Sequence, residues 1–244
     1  MVQKARNASD SPTARPARAK GKTGRTNNAE ASRAEILAAA TREFSEKGLS
    51  GARVDEIAER TQINKRMIYY YFESKEGLYR AVLERCYGHI RMSESAMDLE
   101  SLSPEDALRK LIRHTFDYHS MHPDFVRLVM NENIHQGAHI GSIGSIKTRN
   151  RHVLSTLRGL LDRGVAEGAF RADIDPIELH MSISALSFYN VSNRYTFSRI
   201  FETDMSSPEA VASRREVVVD IIMRWCATPV PSTSTRAQRS KSSR

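Results

Sequence analysis

The chain has 244 residues and a formal net charge of +8, from 37 Lys+Arg against 29 Asp+Glu. The excess sits at the ends: residues 1–29 carry +6 and residues 229–244 carry +4, leaving the body at −2, which excludes a uniformly basic, histone-like coat. No apolar run approaches the roughly 18–20 residues of a membrane span, the N-terminus lacks an apolar signal core, and two cysteines, Cys86 and Cys226, are too few for a disulfide framework, so the cytoplasm is the expected location and no membrane partner is expected.

In chain order, residues 1–29 hold almost no large apolar side chain and cannot bury enough surface to offset ordering, so a disordered basic arm is expected. The arm either tracks a nucleic-acid backbone or minor groove or serves as a solubilising tail. Residues 229–244 read as a second disordered basic tail. Between them the expected fold is all-α, with about nine helices at roughly 30–47, 54–60, 64–71, 74–98, 104–121, 123–136, 144–168, 176–203 and 208–227. Ser103-Pro104-Glu105, Asp175-Pro176-Ile177-Glu178 and Ser207-Pro208-Glu209 each place a capping side chain, a proline at the first helical position and an acid in the first turn. Residues 137–145 form a glycine-bearing loop.

The first helix sets Ile36, Leu37, Ala40 and Phe44 on one face and stops at Lys47-Gly48. Two short helices follow, joined by Thr61-Gln62-Ile63-Asn64. With Val54, Ile57, Ala58, Ile63 and Ile68 inward and Asn64 as N-cap, they make a helix-turn-helix. On the second helix Ile68 and Phe72 face the core, leaving Lys65, Arg66, Tyr69 and Tyr70 outward together. Such a strip of cations and phenols suits a DNA major groove, where cations meet phosphates or guanine edges. A solvated amphipathic helix is the plainer reading of the same octapeptide.

The run from Val54 to Leu78 resembles the DNA-binding signature of the tetracycline-repressor (TetR) family, matching it at Ile57, Ala58, Lys65, Tyr69, Tyr71, Phe72, Ser74, Lys75, Glu76 and Leu78. The resemblance implies a helix-turn-helix domain over residues 30–80 and a helical ligand-binding and dimerisation domain over residues 81–228. It places Arg53, Lys65, Arg66, Met67, Tyr69, Tyr70 and Tyr71 at DNA-contacting positions, with Lys75 meeting a phosphate at the start of the next helix. Gln62, Arg66 and Ala52 depart from the family's usual small residues or threonine. These departures bear on the operator read rather than the fold, and Arg66 is the candidate for direct guanine reading. The implied partners are double-stranded DNA with a palindromic operator, a second copy of the chain and a small-molecule effector.

Two body segments, His122–His135 and Ser187–Tyr195, mix core and polar residues. They resemble the family branch that regulates pyrimidine use and nicotinate degradation. That resemblance implies an aromatic or N-heterocyclic carboxylate as effector, with Phe188 and Tyr189 as wall and Arg127, Asn131, Asn190 and Asn193 as anchors. Each of these residues has the alternative role of packing helices. No GxSxG, P-loop or GxGxxG is present, so no catalytic residue, enzyme activity or cofactor is expected. Glu132, His135 and His139 share metal-like spacing, but Gly137 interrupts the helix, so no metal is expected. His114 and His119 read as ordinary surface or core histidines. The expected function is a ligand-released repressor of catabolic or transport genes. The alternatives are an activator, a redox- or protein-sensing regulator and, from another class, a helical enzyme or scaffold.

Overall fold

A computed structural model describes residues 23–228, with side chains from residue 29 onward. The tail expectations for residues 1–22 and 229–244 lie outside the described residues. Ten α-helices and one 3-10 turn follow in order: α1 Thr23–Gly51, α2 Val54–Thr61, α3 Lys65–Phe72, α4 Lys75–Ser95, α5 Pro104–Met121, α6 Pro123–Ile134, the turn Ile140–Ser142, α7 Gly144–Ala166, α8 Pro176–Ser192, α9 Arg194–Ile200 and α10 Pro208–Cys226.

Two expectations change. α1 begins at Thr23, so the last seven residues of the expected disordered arm, 23–29, are helical. Extending an existing helix costs only propagation, not nucleation. The expected single helix 176–203 is two, α8 and α9, broken at Asn193 (φ −107°, ψ 1°). The Asn193 amide donates to Ser192 Oγ at 2.8 Å, a local side-chain bond of the kind that competes with helical continuity. The glycine stop of the first helix is present as a kink: Gly48 adopts φ 66°, ψ 176°, a left-handed φ that glycine reaches without a Cβ penalty.

Caps fix the helix starts. Ser103, Asp175 and Ser207 accept from the backbone N–H groups of Asp106, Ile177 and Ala210. Two large cores result. One joins Ile36, Ala40, Phe44, Ile57, Ile68 and Leu78 with Leu128 of α6 and Ile143 and Ile146 around the start of α7. The other packs Leu108, Ile112, Phe116, Leu157, Leu179, Ile183, Val218 and Ile222 from α5, α7, α8 and α10. The N-terminal head is therefore not an isolated unit, because α6 and the start of α7 complete its core. On the far side, Ile177 and Met181 of α8 and Val217 and Ile221 of α10 remain exposed. No described helix is long and apolar enough to cross a membrane.

Candidate nucleic-acid interface

The outward helix is held by its sequence. The Asn64 side chain accepts from Arg66 N–H at 2.8 Å and starts α3. Ile68 and Phe72 are buried, which turns Lys65, Arg66, Met67, Tyr69 and Tyr70 to solvent. Tyr70 is 77% exposed. Tyr71 is half-buried, edge-on to Tyr70 with centroids 5.5 Å apart, and packs against the head core. Arg53 is exposed at the entry to α2.

A buried carboxylate braces α2 against α1. Glu43 is fully buried; its Oε1 meets Lys47 Nζ at 2.9 Å and accepts from Arg53 N–H at 3.2 Å, and Oε2 lies 3.3 Å from Arg60. Burial pushes its pKa up, but the Lys47 and Arg53 hydrogen bonds and the Lys47 and Arg60 charges outweigh it, so Glu43 titrates below the ordinary value and is ionised at pH 7. Lys65 is not free in this state. Its ammonium lies 2.7 Å from Asp55 Oδ1, and that hydrogen bond lowers the Asp55 pKa and raises that of Lys65.

The α3–α4 corner is tight. Glu73 takes φ 66°, Ser74 Oγ accepts from Gly77 N–H at 2.9 Å, and Lys75 Nζ donates to the Ser50 carbonyl at 3.3 Å. A Cβ on Gly77 would lie 2.0 Å from the Phe72 carbonyl oxygen, a backbone atom that cannot rotate away. Gly77→Ala is therefore expected to cost roughly 1–3 kcal/mol and to displace the end of α3, with at least about a tenfold loss of operator affinity. Thermal melts and fluorescence anisotropy on labelled DNA check both parts.

The six residues expected around an effector each have contacts of their own. Arg127 reaches the Tyr195 hydroxyl at 3.4 Å and lines a small cavity of about 170 Å³ between α6 and the α8–α9 break. Asn131 donates to the Phe44 carbonyl of α1 at 3.5 Å. Tyr189 is exposed beside Phe197, and Asn193 occupies the α8–α9 break. Phe188 contacts buried His119, and Asn190 is itself buried. Buried polar atoms without a partner among the described residues also lie on Arg91, His119 and Ser187 of α4, α5 and α8; the sequence did not single out Arg91 and read His119 as an ordinary histidine, because no short spacing links the three. Of the three residues with metal-like spacing, Glu132 accepts from the N–H groups of His139 and Ile140 at 2.7 and 3.1 Å, while His135 is exposed.

Residues 36–82 match the family profile described as bacterial regulatory proteins, tetR family, and residues 104–222 match the tetracyclin repressor-like C-terminal domain. The chain is 36% identical over 204 residues to the HTH-type transcriptional repressor NicS of Pseudomonas putida, covering 83% of this chain and 96% of that one. The chain belongs to the TetR family. It is 34% identical over 111 residues to the HTH-type transcriptional regulator RutR of Escherichia coli, covering 45% of this chain and 52% of that one. Its fold superposes on the regulator SCO4942 of Streptomyces coelicolor with a TM-score of 0.63 at 25% identity, covering 81% and 99% of the two chains. As a TetR-family member the protein is a DNA-binding transcriptional regulator.

Proposed function

We propose that the protein is a homodimeric cytoplasmic repressor of catabolic or transport genes, released from a palindromic operator by a small aromatic or N-heterocyclic carboxylate. Residues 30–80 form its DNA-binding unit and residues 81–228 its effector and dimer unit. Arg53, Lys65, Arg66, Met67, Tyr69, Tyr70 and Tyr71 contact the operator, and Lys75 meets a phosphate at the α4 start, where the helix dipole also favours an anion. The observation that carries this reading is the exposed cationic and phenolic face of α3 in a chain 36% identical to NicS over nearly its whole length. The exposed apolar positions on α8 and α10 support pairing with a second copy.

Release follows if the effector binds better to a body conformation that spaces the two α3 helices wrongly. It weakens operator binding only by that difference in affinity. The joint that would carry the shift is α6 against α1, where Leu128 enters the head core and Asn131 sits 3.6 Å from the position of a Cβ on Gly48. The thiols offer a redox switch little support. Burial pushes Cys86 and Cys226 up to about 11, so neither is a thiolate at pH 7.

Selection of genomic fragments by the purified protein at about 150 mM salt tests the reading, because charge-driven binding is weak there. Enrichment of one palindromic site is expected. Salt-sensitive binding with no preferred site would overturn it.

A further inference from the structure

Three polar side chains are sealed inside the helical body without a partner. His119 on α5 is 4% exposed, and Ser187 and Asn190 on α8 are 0% and 2% exposed. His119 Nδ1, Ser187 Oγ and Asn190 Nδ2 have no hydrogen-bond partner among the described residues. A fourth such atom is Arg91 Nε on α4, part of a guanidinium whose other end pairs with Glu94. Unsatisfied buried polar atoms are few in folded proteins, and each needs a reason. Four of them on three packed helices point to a group that the protein's own atoms do not supply.

Phe188, next to Ser187 and two residues before Asn190, meets the His119 ring, which brings this stretch of α8 against α5. Burial first, and then the Arg91 charge, push both His119 and His180 down to about 4. Both rings are neutral at pH 7, and Arg91 is near enough to act on each. The surroundings are flat and aromatic. Phe125 lies parallel to His119 with centroids 5.9 Å apart, and Phe188 meets the same ring edge-on at 5.9 Å. Arg91 and Glu94 also wall a cavity of about 360 Å³ between the end of α4, the following loop and α7.

We propose that His119, Ser187, Asn190 and Arg91 anchor the effector, and that the effector is a small flat ring carrying a carboxylate. The proposal rests on the effector-released regulator read above. Asn190 and Arg91 offer N–H donors, and Ser187 and His119 can each offer one. A carboxylate presents about four lone-pair directions on its two oxygens, and so accepts from all four groups. A primary amide has one acceptor oxygen and turns its own donors against theirs. The ring then lies against Phe125 and Phe188 in the stacked and edge-on arrangements aromatic pairs favour.

The test uses the full-length protein with benzoate and pyridine-3-carboxylate as probes, and benzamide and pyridine-3-carboxamide as uncharged controls. Calorimetry gives affinity, and thermal melts give apo stability, for the parent chain and for Ser187→Ala and Asn190→Leu. At least one carboxylate is expected to bind at millimolar concentration or tighter, about tenfold or more better than its amide. Each substitution is expected to weaken binding by about tenfold. Each should leave the apo melting temperature unchanged or higher, because it removes an unsatisfied buried group. Variants that melt lower and bind as well as the parent would assign the residues to packing and overturn the proposal. So would amides that bind as well as the carboxylates, or no binding by either carboxylate. Operator selection by the same preparations separates the two ideas: a selected palindrome with no carboxylate response sinks the site and leaves the regulator standing.

Discussion

Phe44→Ala is expected to lower stability by about 3–5 kcal/mol and to abolish operator binding, with dimerisation retained longest. Phe44 is completely buried on α1 and meets Tyr79 of α4 edge-on, with centroids 5.1 Å apart. Tyr79 in turn meets His139, beyond α6, edge-on at 5.2 Å. The phenyl ring therefore fills the centre of the head core and also supports the aromatic chain that joins α1 to α4 and the segment after α6. Truncation leaves a cavity there that α2 and α3 cannot fill, because Ile57 and Ile68 are already fixed by the tight turn between them. A protein of this size has only about 5–15 kcal/mol of net stability, so the head is expected to be largely lost near physiological temperature. The core around α5, α7, α8 and α10 is built from different residues and keeps the apolar α8–α10 face in place. Thermal unfolding, anisotropy on operator DNA and sedimentation on one preparation check the three statements. A stability loss below about 1 kcal/mol, within the reach of an ordinary surface substitution, would show that the head tolerates the cavity and that Phe44 is not its keystone.

The parts of the fold legible in the sequence are those set by local chemistry. Asn64 and Ser74 cap their helices, and the spacing of Ile57, Ile68 and Phe72 turns a definite face of α3 outward. These signals sit within a few residues of one another, so one strand of sequence carries them whole. The break at Asn193 was not legible, because apolar residues continue past it and the competing Asn193–Ser192 bond appears only once the helix has formed. The body residues expected around an effector part company on the helices that carry them. Phe188 and Asn190 point inward, but Tyr189 does not, since adjacent positions on a helix diverge by about 100°. Asn131, chosen as an anchor for its polarity, turns to α1 instead and makes part of the joint between body and head. His119 read as an ordinary histidine because nothing in its own neighbourhood shows that the Arg91 charge, 28 positions earlier, acts on it or that Phe188, 69 positions later, packs on its ring. Convergence of that kind is a property of helix packing, and no short spacing encodes it.

Arg66→Ala is expected to weaken operator binding by about 1–3 kcal/mol, roughly 5- to 150-fold, and to relax base preference at one position in each half-site. The reason lies in how the two cations at the start of α3 are held. Lys65 spends its ammonium on Asp55, so its approach to DNA requires an exchange of partners that offsets part of the gain. Arg66 makes no salt bridge among the described residues, and its backbone N–H is held by the Asn64 cap. Its guanidinium is therefore free to offer a planar fork to the O6 and N7 of guanine, which an ammonium does not match in geometry. Lys75 supplies the contrast. Held at the α4 start beside Ser50, it meets a phosphate in the proposed reading, so Lys75→Ala should weaken binding to all sequences about equally and reduce the salt slope by about one per contact. Binding to a panel of operator variants, each measured at several salt concentrations, separates the two roles. An Arg66→Ala protein that loses affinity uniformly across the panel, with a shallower salt slope, would make Arg66 a backbone contact. Base selection would then fall to the exposed phenols of Tyr69 and Tyr70.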